Sequence, residues 1–86
     1  MAAYDLLIKR NAEKELCSIS QPYLSKILNK IKSLQSTPRP QGAIMLKGNN
    51  QYFRIRLGDY RVIYSVDDKN KSVTIIKVGH RREVYE

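Results

Sequence analysis

The run from Tyr52 to Tyr64, Tyr-Phe-Arg-Ile-Arg-Leu-Gly-Asp-Tyr-Arg-Val-Ile-Tyr, constrains the fold of this chain more than any other segment. Apolar and basic residues alternate on both sides of Gly58-Asp59, and strand side chains alternate faces with period two. A two-residue turn at Gly58-Asp59 sets Leu57 opposite Tyr60 and Arg56 opposite Arg61. Arg54, Arg56 and Arg61 then share one face, while Phe53, Ile55, Leu57, Tyr60, Val62, Tyr64 and Val66 line the other. Like charges placed directly opposite one another destabilise a sheet by roughly 0.2–1 kcal/mol. An anionic ligand is the simplest compensation for putting them there.

The flanking segments suggest what surrounds this hairpin. Ala3 to Ile8 reads as a short strand, and Asn11 as the cap of a helix running to about Ser18, with Glu13 and Glu15 near its positive end. Ala12, Leu16 and Ile19 form its apolar stripe. Leu24, Ile27, Leu28, Ile31 and Leu34 give a second helix by their i, i+3, i+4, i+7 spacing, preceded by Ser20 or Gln21 and with Pro22 in its first turn. Lys26, Lys30 and Lys32 lie off that stripe and read as a solvated face, and Thr37-Pro38-Arg39-Pro40 ends the helix. Ile44 to Leu46 can begin a strand, followed by a turn at Lys47-Gly48-Asn49-Asn50.

Beyond the hairpin, Asp67 to Lys71 is a polar turn and Ser72 to Val78 a further strand. A turn centred on Lys69-Asn70 places Val66 opposite Val73, Tyr64 opposite Ile75 and Arg61 opposite Val78, and alternation then carries His80 to the side of Arg61. The order β-α-α-β-β-β predicts an α+β fold: an antiparallel sheet of about four strands with a helical hairpin on one face and the arginine face left open.

With 86 residues the chain is long enough for one modest core, and its net charge of +8 suits a protein that meets polyanions. No apolar stretch approaches 18 residues and no secretory signal is evident, which points to a cytoplasmic protein without a membrane span. Cys17 is the only cysteine and reads as a small helix residue; no Cys/His cluster has metal-ligand spacing, no cofactor motif is present, and the four glycines are scattered. Asp67 and Asp68 read as solvent groups in a turn rather than as an acid/base pair.

What remains is a cationic face with Arg54, Arg56, Arg61, His80, Arg81 and Arg82, ringed by tyrosines that include Tyr85. Such a set suits RNA phosphodiester cleavage without a metal, which requires moving the 2′-hydroxyl proton, stabilising a more negative transition state and protonating the departing 5′-oxygen. Guanidinium groups match phosphate oxygens but do not shuttle protons at neutral pH. His80 and Tyr85 are the proton-transfer candidates. His80 reads equally as a strand-end residue without chemistry, and Tyr85 as a packed ring or a stacking platform for a base.

The hairpin run, together with Leu46-Lys47-Gly48 and with Val-Gly-His-Arg-Arg-Glu-Val-Tyr at Val78 to Tyr85, resembles the RelE branch of the RelE/ParE toxin superfamily. The resemblance spans nearly the whole chain and treats residues 1–86 as a single toxin domain. It implies the toxin of a toxin–antitoxin pair, cutting mRNA in the ribosomal A site and held inactive in a hetero-oligomer with a cognate antitoxin protein. Carried over by position, Arg54 and Arg56 match the two basic strand residues of the family's active site, and Arg61 matches its phosphate-contacting arginine. Arg81 matches a second transition-state arginine, and Tyr85 the tyrosine that stacks on or activates the substrate nucleotide; Lys47 and Arg82 join the implied phosphate contacts. His80 falls at a position that varies between basic types. The chain departs from the family where lysine is common at the positions of Arg54 and Arg56, which moves proton abstraction toward His80, Tyr85 or the ribosome. Two other readings stand beside this one: a ParE-like toxin that poisons DNA gyrase, and a ribosome- or RNA-binding module without catalysis.

Overall fold

A computed structural model describes residues 4–46 and 51–80. Among these residues the elements are β1 (Asp5–Ile8), α1 (Arg10–Cys17), α2 (Tyr23–Ser33), β2 (Ile44–Met45), β3 (Tyr52–Leu57), β4 (Tyr60–Asp67) and β5 (Ser72–His80). The strands form one sheet in the order β1-β5-β4-β3-β2. β2, β3, β4 and β5 pair antiparallel in succession, and β1 runs parallel to β5 with Asp5 against Ser72 and Ile8 against Ile75.

The α+β architecture expected from the element order is present, with two corrections. The two-residue β2 adds a strand to the four expected, and the parallel β1–β5 pairing makes the sheet mixed. The reason is connectivity. After β1 the chain spends two helices covering one face, so it re-enters the sheet at β2 and reaches the side of β1 only with its last strand.

Both helices bury the stripes their spacing dictates. Ala12, Leu16 and Ile19 from the first helical region, with Ile27, Ile31 and Leu34 from the second, meet Phe53, Ile55, Val62, Tyr64, Val66, Val73, Ile75 and Val78 of the sheet. Each wholly buried side chain such as Ile27 or Ile75, both at 0% exposure, contributes about 1.5–3 kcal/mol relative to leaving it in water. Leu24, Leu28 and Leu57 pack at the margin. Of the three lysines read as a solvated face, Lys26 and Lys32 are exposed and Lys30 is half-buried.

The start of α2 is held by Gln21, whose Oε1 accepts the Ser25 N–H at 3.2 Å and the Ser25 hydroxyl at 2.7 Å. At α1 the cap position is Lys9 rather than the expected Asn11, which lies inside the helix. Its amide donates instead across to the Ile76 carbonyl at 3.0 Å. A tertiary acceptor has taken the group that would otherwise cap the helix locally.

The loop after α2 and the turn after β4 are tied together by a polar cluster. Asp68 accepts two bonds from the Arg39 guanidinium, at 3.2 and 2.7 Å, and one from the Tyr4 hydroxyl at 2.7 Å. The Arg39 bonds, followed by that of Tyr4, hold the Asp68 carboxyl down to about 2. Asp67 folds its own turn by accepting from the Asn70 and Lys69 backbone N–H groups, each at 3.1 Å, and from the Asn70 amide at 2.8 Å. Those bonds, led by that from the Asn70 backbone, lower its pKa. Both aspartates are exposed, as expected of solvent groups in a turn, and serve in addition as structural acceptors. Arg39 also lies over the Phe53 ring at 5.3 Å, and the buried Tyr64 donates its hydroxyl to the Pro38 carbonyl at 2.8 Å, so β3 and β4 fix the proline loop from beneath.

Candidate functional site

The β3–β4 hairpin has the register its sequence dictates. Leu57 pairs with Tyr60, Arg56 with Arg61, Ile55 with Val62 and Arg54 with Ile63. Gly58 has φ +62° at the first turn position, a conformation that glycine adopts without the Cβ penalty. Arg54, Arg56 and Arg61 thus occupy the sheet face opposite the helices, and Arg56 and Arg61 are direct cross-strand neighbours.

The face is not uniformly open, which corrects the expectation. Arg56 is exposed and Arg61 half-buried, whereas Arg54 and its partner Ile63 are each only 6% exposed. The gradient follows position in the sheet. Arg54 is flanked on both sides, by Ile44 of β2 and Ile63 of β4, while Arg56 lies beyond the end of β2 and next to the turn. The Nε atoms of Arg54 and Arg61 are withdrawn from solvent. Charge held where water is scarce acts more strongly on an anion than the same charge at a wet surface.

His80 does not join this face. The β4–β5 pairing begins as expected, with Val66 against Val73 and Tyr64 against Ile75, but the register then shifts between Tyr64 and Ile63, which pairs with Lys77. Ile76 is the extra residue of a β-bulge. Past the bulge Arg61 faces Gly79 rather than Val78, and Tyr60 faces His80. Strand alternation places His80 on the helix side with Tyr60, and their rings meet edge-on at 5.8 Å between centroids. Tyr60 in turn contacts Tyr23 of α2 at 5.7 Å. His80 there lines a cleft of about 220 Å³ with Glu15, Ser18, Ile19, Tyr60, Val78 and Gly79, and its Nε2 is 4.0 Å from Asp59. The bulge is the physical reason for the difference: one inserted residue inverts the facing of everything after it.

Of the residues read as a site, then, the structure brings together Arg54, Arg56 and Arg61 and places His80 on the reverse side of the sheet. Lys47, Arg81, Arg82 and Tyr85 lie outside the described residues. Two residues that the sequence assigns only to the start of a helix shape the site from behind. Asn11 and Glu15 of α1 reach the bulged segment of β5, Asn11 through Ile76 and Glu15 through a 3.0 Å bond from the Val78 N–H to its Oε1. Their i, i+4 spacing on one helix face was the available signal.

Similarity to known proteins is consistent along the chain. The sequence model for the ParE toxin of type II toxin–antitoxin systems, parDE, matches residues 6–85. The putative toxin RelE1 of Methanocaldococcus jannaschii is 27% identical over 86 residues, with 96% of each chain covered. Among solved structures, the archaeal RelE–RelB complex of Pyrococcus horikoshii contains a chain with TM-score 0.83 and 33% identity, covering 95% of this chain and 99% of that one. The intact E. coli RelBE toxin–antitoxin complex gives TM-score 0.80 and 28% identity, covering 91% of this chain and 96% of its counterpart.

Proposed function

The chain belongs to the ParE-toxin family of type II toxin–antitoxin systems, within the RelE/ParE superfamily, and on that premise we propose that it is a ribosome-dependent mRNA endoribonuclease acting without a metal cofactor. The observation that carries the reading is the one-sided set of Arg54, Arg56 and Arg61, with Arg56 and Arg61 paired across a tight hairpin on the helix-free face.

In this reaction the 2′-oxygen of a nucleotide attacks the adjacent phosphorus, the bond from phosphorus to the 5′-oxygen breaks, and a 2′,3′-cyclic phosphate and a 5′-hydroxyl remain. The 2′-hydroxyl proton leaves to a base, and the departing 5′-oxygen gains a proton. Negative charge on the non-bridging oxygens rises in the transition state, and preorganised donors aimed at it contribute the most to such catalysis. The exposed Arg56 and half-buried Arg61 meet those oxygens, while the buried Arg54 adds a fixed positive field. Arg81 supplies a second transition-state guanidinium, and Lys47 and Arg82 hold flanking phosphates, as the family resemblance implies.

None of these arginines moves a proton at neutral pH. His80 faces away from them across the sheet, so proton abstraction falls to Tyr85 or to a ribosomal group. A cognate antitoxin protein completes the assembly as a hetero-oligomer, by analogy with the RelB-bound relatives. The purified protein is expected to cut mRNA on programmed ribosomes in the presence of EDTA. Full activity in a folded Arg61→Ala variant would remove the arginine face from the mechanism.

A second reading has one specific observation in its favour, since the matching family description is that of ParE. Inhibition of supercoiling by purified gyrase, with mRNA on programmed ribosomes left intact, would establish that the chain poisons gyrase instead. Salt-sensitive ribosome binding with neither activity would mark a non-catalytic module.

A further inference from the structure

The outer edge of β5 changes partners halfway along. β1 pairs with it from Ser72 to Ile75, and the last backbone bond of that edge runs from the Lys9 N–H to the Ile75 carbonyl at 3.0 Å. There the chain turns into α1, and the sheet would be left with an open edge at the point where the bulge begins. Side chains of α1 continue the pairing. The Asn11 amide donates to the carbonyl of Ile76, the extra residue, at 3.0 Å, and Glu15 accepts the Val78 N–H at 3.0 Å. The other Glu15 oxygen is 3.3 Å from the Lys77 ammonium. Three successive residues, Ile76, Lys77 and Val78, are thus each held by one of two side chains a helical turn apart.

A bulge frees backbone groups from the ladder, and those groups must find other partners or be paid for in stability. In the unbulged register Arg61 would face Val78, and Gly79 and His80 would change sides, so whatever holds the bulge also decides which residue of β5 stands beside Arg61. We propose that Glu15 and Asn11 are positioning residues: by capturing the Val78 N–H and the Ile76 carbonyl they lock β5 in its bulged register and so set Gly79, rather than Val78, beside Arg61 of the arginine face. The link to catalysis rests on the ribonuclease reading above; the clamp itself does not.

The alternative is that burial of Val78, which has no exposed surface, holds the register unaided. The full chain and its Glu15→Ala, Glu15→Gln and Asn11→Ala variants separate the two. Amide exchange at Val78 and the contact between the Tyr60 and His80 rings are read by NMR, and kcat and KM for mRNA cleavage on programmed ribosomes are measured on the same samples. Glu15→Ala is expected to speed Val78 exchange by about tenfold or more, since a bond to a charged acceptor is lost. It also weakens the ring contact and lowers kcat by about tenfold, with KM changed by less than about threefold, as expected when alignment in the transition state is lost rather than binding. Glu15→Gln, which keeps an acceptor, restores most of both. Asn11→Ala, at an exposed helix position, shows the same signs at about threefold and serves if Glu15→Ala does not fold.

Unchanged Val78 protection and an unchanged ring contact in Glu15→Ala, or in Asn11→Ala if only that variant folds, would overturn the clamp. An altered register with unaltered kcat would overturn its coupling to the site. If the wild type cuts no mRNA, the ribonuclease reading fails and the coupling with it, while exchange and ring contact still decide the clamp.

Discussion

The two hairpins of this sheet share β4 yet follow different rules. In β3–β4 a two-residue turn with Gly58 at φ +62° fixes the register, which continues without interruption from Leu57–Tyr60 to Tyr52–Ser65. In β4–β5 a longer turn, with Lys71 at φ 54°, is followed by correct pairing only as far as Tyr64–Ile75, and then by the bulge at Ile76. A tight turn propagates register because its geometry admits one alignment. A loose turn leaves the register to tertiary contacts, and here α1 supplies them.

The largest expected effect tests where this difference leaves the arginine and histidine candidates. Arg61 belongs to both hairpins, opposite Arg56 on one side and Gly79 on the other. Arg61→Ala should lower kcat on programmed ribosomes by about a hundredfold or more, the cost of removing one preorganised donor to a developing anion. His80→Ala, across the sheet beside Tyr60, should lower it by less than about tenfold. Equal losses in the two variants would mean that the bulged register does not describe the active protein.

Next in size is the turn that sets the register. An alanine Cβ at Gly58 meets nothing within 4 Å, so Gly58→Ala tests backbone conformation alone. The left-handed region should cost about 1–2 kcal/mol, read as a lower urea midpoint at constant slope. A neutral result would show that the rest of the sheet, rather than this turn, aligns β3 with β4.

What was legible follows the same division. The α1 and α2 stripes, the helix-facing residues of the sheet and the pairing of Arg56 with Arg61 could be read because periodicity and a two-residue turn act over short spans. The parallel docking of β1 depends on where a distant strand arrives. The bulge depends on Asn11 and Glu15, 65 and 63 residues away from their partners, and its insertion is invisible to alternation. The closed end of the arginine face was equally unreadable, since Arg54 and Arg56 look alike in sequence, and the pairing of β2 with Arg54 comes from a distant segment. The ties that Asp68 makes from its exposed turn were hidden for a related reason, as its partners Tyr4 and Arg39 come from segments with no local signal.

Tyr64 stands where the common register of both hairpins ends, and its effect should be smaller. Its hydroxyl bond to Pro38 sits beneath the core, and Tyr64→Phe should cost about 1 kcal/mol at neutral pH. Burial pushes the phenol up to about 12. A group whose folded pKa is raised contributes stability that is complete below its unfolded value, near 10, and is lost as pH rises through the folded value. The advantage of wild type over Tyr64→Phe should therefore shrink and then reverse between pH 10 and 12. A difference that stays constant across that range would mean that the ring is solvated when it ionises.

The smallest effect is expected at Lys71, and its size is the counterpart of that at Gly58. Lys71 holds φ 54°, which costs a residue with a Cβ about 1 kcal/mol or more, and Lys71→Gly would relieve it. Two terms oppose the gain. The ammonium lies 5.2 Å from the Tyr4 ring centroid, a contact of about 0.5–1 kcal/mol, and glycine has more chain entropy to lose on folding, again about 0.5–1 kcal/mol. Lys71→Gly should thus change stability by less than about 0.5 kcal/mol and leave the Tyr60–His80 ring contact intact. A large destabilisation accompanied by loss of that contact would show that the loose turn fixes the β4–β5 register after all, and that α1 follows the bulge rather than holding it.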